Sequence, residues 1–406
     1  MIGVEGSGVC TSPCLPDLVA ALSCHFRQPR LGFVMGHPIR TSLAALVILT
    51  SLVVAVEPHQ VSSDFFTTLP TQGNHVQVTQ FEQPILKRVP LWAGFMDSVW
   101  TLWDAKLLDP STILIVDRRA SRLLVVDGEN EDVRAIGRRG EGPGEFKAPA
   151  AVGVGSESFY VWDMTAMRFS AFERSGLFMN SLPLVIPSRG ALSSICITDW
   201  GDVALKPWMV KTGNKYFGQI LYFTADLDSF WTVDLLCSRL LGKGAEPTDP
   251  ACCDVSLAAG LQETMLVAFH NDYTIRRYSR SGEILWDSGR LDPLFKPAWV
   301  EMIGEHSYRF HMYNMITCLI DIDNEGILAG SWILVGDPPE ARTVSHLDVI
   351  VPGKGLVGRV PIPEETVVKD IVVDEDQVLL LTAMSAVDEL PRLTLYSASL
   401  KALFRK

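Results

Sequence analysis

Gly137-Arg138-Arg139-Gly140-Glu141-Gly142-Pro143-Gly144-Glu145-Phe146-Lys147-Ala148-Pro149 packs four glycines and two prolines into thirteen positions. Glycine reaches backbone angles closed to other residues, and proline fixes φ and removes a donor. The stretch therefore reads as an ordered surface turn, neither helix nor strand. It is followed at once by the alternating run Ala151-Val152-Gly153-Val154 and then by Phe159-Tyr160-Val161-Trp162-Asp163. A turn, a short strand, a tight connection and a second strand are laid out in order.

The same unit recurs along the chain. Its first two strands are legible at Val152 to Asp163, Ile195 to Leu205, Val255 to Phe269, Leu319 to Trp332 and Ile371 to Leu381. Ile113 to Asp117 followed by Leu123 to Asp127 reads as a less regular copy. A third strand recurs at Arg168 to Phe172, Thr274 to Tyr278 and Leu393 to Ser397, with hairpin turns such as Arg174-Ser175-Gly176 and Arg280-Ser281-Gly282. Polar turns join the first two strands at Thr198 to Asp202, Asp321 to Gly326 and Asp374 to Gln377, where Asx side chains bond their own backbone.

Six copies at a spacing of about 45–60 residues imply four-stranded sheets arranged radially, since stacking around an axis buries both apolar faces of each sheet. The fold predicted is all-β, a six-bladed β-propeller over 99–404 preceded by an N-terminal signal or apolar segment. Helical patterning is scarce, and Pro297 to Tyr313 is the best candidate for a helix. The last unit, 366–404, yields three clear strands and a short remnant, Leu400 to Phe404. Ring closure needs a partner for that raw edge. Within the N-terminal segment 57–98, Val76 to Val89 is expected to supply the outermost strand of the last blade.

Gly137, Gly140, Gly142, Gly144, Phe146 and Pro149 stand at the spacing G-x-x-G-x-G-x-G-x-F-x-x-P before an inner strand. In this the chain resembles the NHL-repeat-like (TolB-like/NHL) six-bladed β-propellers. The resemblance implies a binding or scaffold module. A minority of six-bladed relatives are enzymes, such as lactonases and arylesterases, which gather Asp, Asn, Glu or His from inner-strand ends around calcium.

The 406 residues are 48% hydrophobic and 20% charged, enough for a large core. A formal net charge of −12 disfavours nucleic acid and anionic membrane as partners, because no counterion release is on offer. Residues 35–56 read as an export signal, with Arg40 in the n-region, an apolar run from Leu43 through Val56 and a small-residue cleavage site at Val53-Val54-Ala55. The run is short of the roughly twenty apolar residues of a membrane span, so a cleaved signal ranks above an anchor formed by 43–56. Residues 1–34 read as a start-site extension or a disordered leader. The expected location is periplasmic or extracellular, with membrane contact only through a retained anchor.

Cys196 and Cys318 stand in apolar strands, where a buried inert thiol is expected. Cys237 and Cys252-Cys253 flank a loop, and a Cys237–Cys252 disulfide or free thiols fit it; no nearby histidine completes a zinc site. The candidate ligand-binding residues are Arg138, Arg139 and Glu141 in the glycine-rich turn, and His306, Tyr308, Arg309 and His311 in the link between the fourth and fifth units. If that link is helical, His306 and Ser307 neighbour Phe310 and His311. Arg138 and Arg139 lie close to Glu141 and Glu145, which also suits plain surface pairing. No nucleophile elbow, zincin motif, phosphate loop or dinucleotide signature is present. The reading is an exported, non-enzymatic propeller that binds a partner protein or small ligand through its inter-blade loops, with no cofactor or metal. The alternative is a calcium-dependent hydrolase of the lactonase or arylesterase type.

Overall fold

The computed structural model describes residues 79–80, 86–89, 91, 94–184, 192–207, 210–212, 215–224, 227, 230–235, 255–270, 273–292, 299–304, 307–311, 314–322, 325–335, 342–362, 366–384 and 392–404. The leader 1–34, the signal or anchor 35–56, His306 and the Cys237–Cys252 pair lie outside them.

Two short strands come first, β1 (Thr79–Gln80) and β2 (Lys87–Val89). Blade 1 then holds β3 (Leu102–Leu107), β4 (Thr112–Asp117), β5 (Arg122–Asp127) and β6 (Asp132–Ile136). Blade 2 holds β7 (Pro149–Val154), β8 (Ser158–Asp163), β9 (Arg168–Glu173) and β10 (Phe178–Pro183). Blade 3 is longer, with β11 (Leu192–Ile197), β12 (Val203–Pro207), β13 (Val210–Thr212), β14 (Lys215–Phe223) and β15 (Phe230–Leu235). Blade 4 holds β16 (Val255–Ala259), β17 (Thr264–Phe269), β18 (Thr274–Ser279) and β19 (Ile284–Arg290). A separate hairpin follows, β20 (Trp299–Gly304) and β21 (Ser307–His311). Blade 5 holds β22 (Asn314–Ile322), β23 (Gly326–Val335), β24 (Arg342–Val351) and β25 (Gly355–Pro361). Blade 6 holds β26 (Thr366–Asp374), β27 (Gln377–Met384) and β28 (Arg392–Ser399), and a five-residue helix α1 (Leu400–Phe404) ends it.

The first strands of the six blades, β3, β7, β11, β16, β22 and β26, neighbour one another in a closed ring. The molecule is a six-bladed β-propeller. Its packing follows from strands apolar on both faces: β4, β8 and β17 are buried along nearly their whole length. Six buried clusters result, and each joins two successive blades. Phe146, Val152 and Phe159 meet Leu114 and Leu123 between blades 1 and 2, for example. Leu379, Leu381 and Leu393 meet Ala105, Leu107 and Ile113 between blades 6 and 1. Among the described residues, the buried clusters lie between blades rather than within single ones.

Closure is made at the outer edge. β2 pairs antiparallel with β28, with Lys87 opposite Ser397 and Val89 opposite Leu395, and so gives blade 6 its fourth strand. β1 does something different. It pairs parallel with β25, Thr79 opposite Gly358, and adds a fifth strand to blade 5. The segment from Val76 to Val89 thus serves two blades where one was expected.

Three expectations are corrected. The described residues of Pro297 to Tyr313 form strands where a helix was expected: Trp299–Gly304 and Ser307–His311 pair antiparallel, as suits their β-branched and aromatic content. Ile113 to Asp117 and Leu123 to Asp127 are the second and third strands of blade 1, whose inner strand is Leu102–Leu107. Leu400 to Phe404 is a helical turn, with Leu400 and Leu403 buried, rather than a strand remnant. Among the described residues no helix is long and apolar enough to cross a membrane.

Candidate functional site

The glycine-rich turn links β6 to β7 and is built from the inside outward. Phe146 is fully buried, its ring 5.8 Å from that of Phe172. Gly137 sits at φ +75°, and a Cβ there would lie 2.4 Å from the Phe146 ring, so only glycine fits. The Phe146 amide donates to Arg138 O at 2.8 Å and the Gly140 amide to Phe146 O at 3.0 Å. Below the turn, Asp163 is wholly buried and accepts the amides of Lys147 (2.5 Å), Ala148 (3.1 Å), Thr165 (3.0 Å) and Ala166 (2.8 Å). Arg168 donates to the carbonyls of Glu141, at 2.7 Å, and Glu145.

Charge is arranged above this frame. Glu145 accepts from Arg138 Nε at 2.8 Å and from the Gly142 amide at 2.9 Å, and these bonds, that with Arg138 foremost, hold its carboxyl below the ordinary value. Glu141 pairs with Lys147, which lowers its pKa in the same way. The Arg138 side chain is 83% exposed despite its pairing. Arg139 is exposed too, and among the described residues its side chain makes no hydrogen bond or ion pair. The structure thus brings Arg138, Arg139 and Glu141 together on one fixed loop. Tyr308, Arg309 and His311 lie elsewhere, on β21, in register with Met302, Glu301 and Trp299. The helical neighbourhood expected for them does not form.

The preceding link, into blade 1, repeats the device. Asp117, also wholly buried, accepts the amides of Trp100 (3.2 Å) and Thr101 (3.0 Å), and Arg122 reaches Ser98 O. The signal is Asp-x-x-x-x-Arg, at Asp117 to Arg122 and again at Asp163 to Arg168, and reading for strand periodicity passed over it. In blade 4 the matching cross-strand pair is Phe269 and Thr274. There the anchor is absent.

Inside the ring, one position repeats. A register shift interrupts the pairing of the inner strand in blades 1, 2, 3, 5 and 6, just before Asp104, Ala151, Ser194, Cys318 and Asp370. Ser256 matches them in blade 4, opposite Ala268. Inner strands do not pair with one another, and these side chains do the joining. Asp104 accepts the Val152 amide at 3.1 Å, Ser194 the Leu257 amide at 3.1 Å and Asp370 the Leu107 amide at 2.8 Å, while Ser256 donates to Ile316 O at 2.8 Å. Lys106 Nζ lies 3.2 Å from Asp370 Oδ1 and donates to Lys369 O. Burial works against its ammonium, but the Asp370 and Asp104 carboxylates outweigh it and raise its pKa. Burial also pushes Asp370 up against the pull of Lys106. With both Asp370 oxygens holding donors, the geometry favours the ionised pair. The thiols of Cys196 and Cys318 are buried and free, and burial pushes both up to about 12, so they stay protonated.

Calcium requires six to eight oxygen ligands. Of the six equivalent inner positions two are carboxylates, and both already accept backbone amides. Among the described residues no three His, Cys, Asp or Glu side chains converge on one point. The inner ring does not fit the metal that the hydrolase alternative requires.

No family model matches the chain, and no curated protein matches it. Solved structures do. A member of the duf4221 family from Bacteroides vulgatus aligns over 77% of this chain and 97% of its own, with 9% identity and a TM-score of 0.49. A candidate exported protein from Bacteroides fragilis aligns over 79% and 99%, with 12% identity and a TM-score of 0.47. A streptogramin B lyase aligns over 77% and 97%, with 10% identity and a TM-score of 0.42. At such identities the likeness concerns the fold alone.

Proposed function

We propose that this chain is an exported, non-enzymatic propeller that binds a partner protein or small ligand on the face formed by its inter-blade loops. One observation carries the reading. Beneath the Gly137–Pro149 turn Asp163 and Arg168 hold the loop backbone and Phe146 is buried, while Arg138 and Arg139 are turned to solvent. A loop fixed in advance loses little entropy on binding, which is how a recognition surface gains affinity. The buried thiols and the consumed carboxylates of the inner ring support a binding role over chemistry in the channel. Export rests on residues 35–56, whose apolar run and small-residue site suit a cleaved signal and a periplasmic or extracellular destination.

The test is site-specific photocrosslinking in the native cell. A photoreactive residue at Arg139 should give a discrete adduct, and one at Ser281, in the turn at the other end of a blade, should give none. An adduct from Ser281 alone would reverse the assignment of the face. Stoichiometric calcium together with turnover of an aryl ester or lactone would replace binding by hydrolysis.

A further inference from the structure

The end of blades 1 and 2 that carries the glycine-rich turn also gathers positive charge. Leu102 stands opposite Asp117 and Pro149 opposite Asp163, so the residues entering β3 and β7 share one end of the two blades with the turns after β4 and β8. The stretches Asp117–Arg122, Gly137–Pro149 and Asp163–Arg168 hold seven arginines and lysines against four carboxylates, in a chain of net charge −12. Asp117 and Asp163 are two of those four, and both are wholly buried on backbone amides. What reaches water here is mainly cationic.

Four side chains define the surface. Arg119, Arg138 and Arg139 are exposed, and Trp100, just ahead of β3, is 65% exposed. The frame beneath them is continuous. The Trp100 amide is fixed on Asp117, and Ser121 Oγ donates to Lys147 O at 3.0 Å, tying the turn that carries Arg119 to the loop that carries Arg138 and Arg139. Arg118 is half-buried over Trp103, its guanidinium carbon 3.9 Å from the ring centre, which leaves Arg119 as the outward member of that pair. Trp and Arg are the residues that most often carry interface energy, and the planar arginine fork matches a carboxylate. Glu141, 77% exposed on the same loop, interrupts the cationic run. A continuous phosphate backbone would meet that charge, whereas a polypeptide with spaced carboxylates can pass it.

We propose that this surface receives an acidic polypeptide segment of a partner protein, with carboxylates on Arg119, Arg138 and Arg139 and an apolar side chain against Trp100. The proposal rests on the loop-face reading above and narrows its partner to one chemistry. The rest of the molecule is more acidic than the whole and repels such a segment, so charge also directs where it docks.

A random-peptide display library selected on the full-length protein supplies the probe, and the enriched peptide is then measured by fluorescence anisotropy. Enriched sequences should carry an excess of Asp and Glu together with a large apolar residue. Trp100→Ala and the double variant Arg119→Gln, Arg139→Gln should each weaken that peptide about tenfold or more, with circular dichroism confirming the fold. Affinity should fall as salt rises from roughly 0.05 to 0.5 M. The proposal is overturned if selection yields no acidic excess, if either folded variant binds the peptide as the wild type does, or if oligouridylate binds the wild type as tightly. The crosslink from Arg139 in the cell separates the two levels. With that adduct present, any of these failures removes only the acidic character of the partner; with it absent, the face itself is lost.

Discussion

Lys106 Nζ and Asp370 Oδ1, 3.2 Å apart, join the innermost strand of the first blade to that of the last. The two side chains keep 22% and 15% of their surface, so the pair is shielded without being sealed. Asp370→Ala leaves the Leu107 amide without its acceptor and Lys106 with the Lys369 carbonyl but no carboxylate, and should cost about 2–3 kcal/mol in urea unfolding. The double variant Lys106→Met, Asp370→Leu should recover most of that loss. The pKa of Lys106 is raised, so its contribution is complete below the ordinary value of 10.5 and is lost as pH rises through the folded value.

Asp163→Ala removes the acceptor for four amides and should destabilise the protein by about 2–4 kcal/mol. Hydrogen exchange at Lys147 and Ala148 should accelerate before the rest of blade 2. Equal acceleration throughout the blade would show that Asp163 holds the sheet and not the loop.

His346 stands on β24 of blade 5 with its Nδ1 buried and without a hydrogen-bond partner. Burial and then the Arg359 charge lower its pKa, with the Asp348 and Asp292 carboxylates pulling the other way. The folded state thus favours the neutral ring. Its stability is present above the ordinary value of 6.5 and declines as pH falls below it. Melting temperatures taken either side of that value should differ in the wild type and differ less in His346→Gln.

Truncation through Val89 removes the partner of β28 and takes Leu86 from the cluster between blades 5 and 6. The product should be unfolded or aggregated, since it exposes a raw edge beside an opened core. Among the described residues, truncation through Gln80 removes only the parallel pairing on β25, and it should cost a few degrees. Circular dichroism melts separate the two outcomes.

The architecture was legible because the middle strands carry it. Runs such as Phe159 to Asp163 and Met265 to Phe269 are apolar on both faces and bounded by turn residues. The inner strand of blade 1 was not legible, because Asp104 and Lys106 interrupt Leu-Trp-Asp-Ala-Lys-Leu with charges that only the neighbouring blades satisfy. The hairpin after blade 4 was misread as helical because no blade repeat covers it. Of the candidate site, the glycine-rich turn declared itself through residues that need φ above zero, as Gly137 does. The anchors, Asp163 beneath it and Asp117 beneath the preceding link, look like ordinary turn carboxylates until the amides they collect are seen.

Pairing Lys87–Val89 with Arg392–Ser399 also sets an order of events. Blade 6 cannot be completed until Arg392–Ser399 has been synthesised, and contacts so distant in sequence are slow to form. A nascent chain that stops short of these residues therefore stays an open fan. Sealing the ring waits for β28.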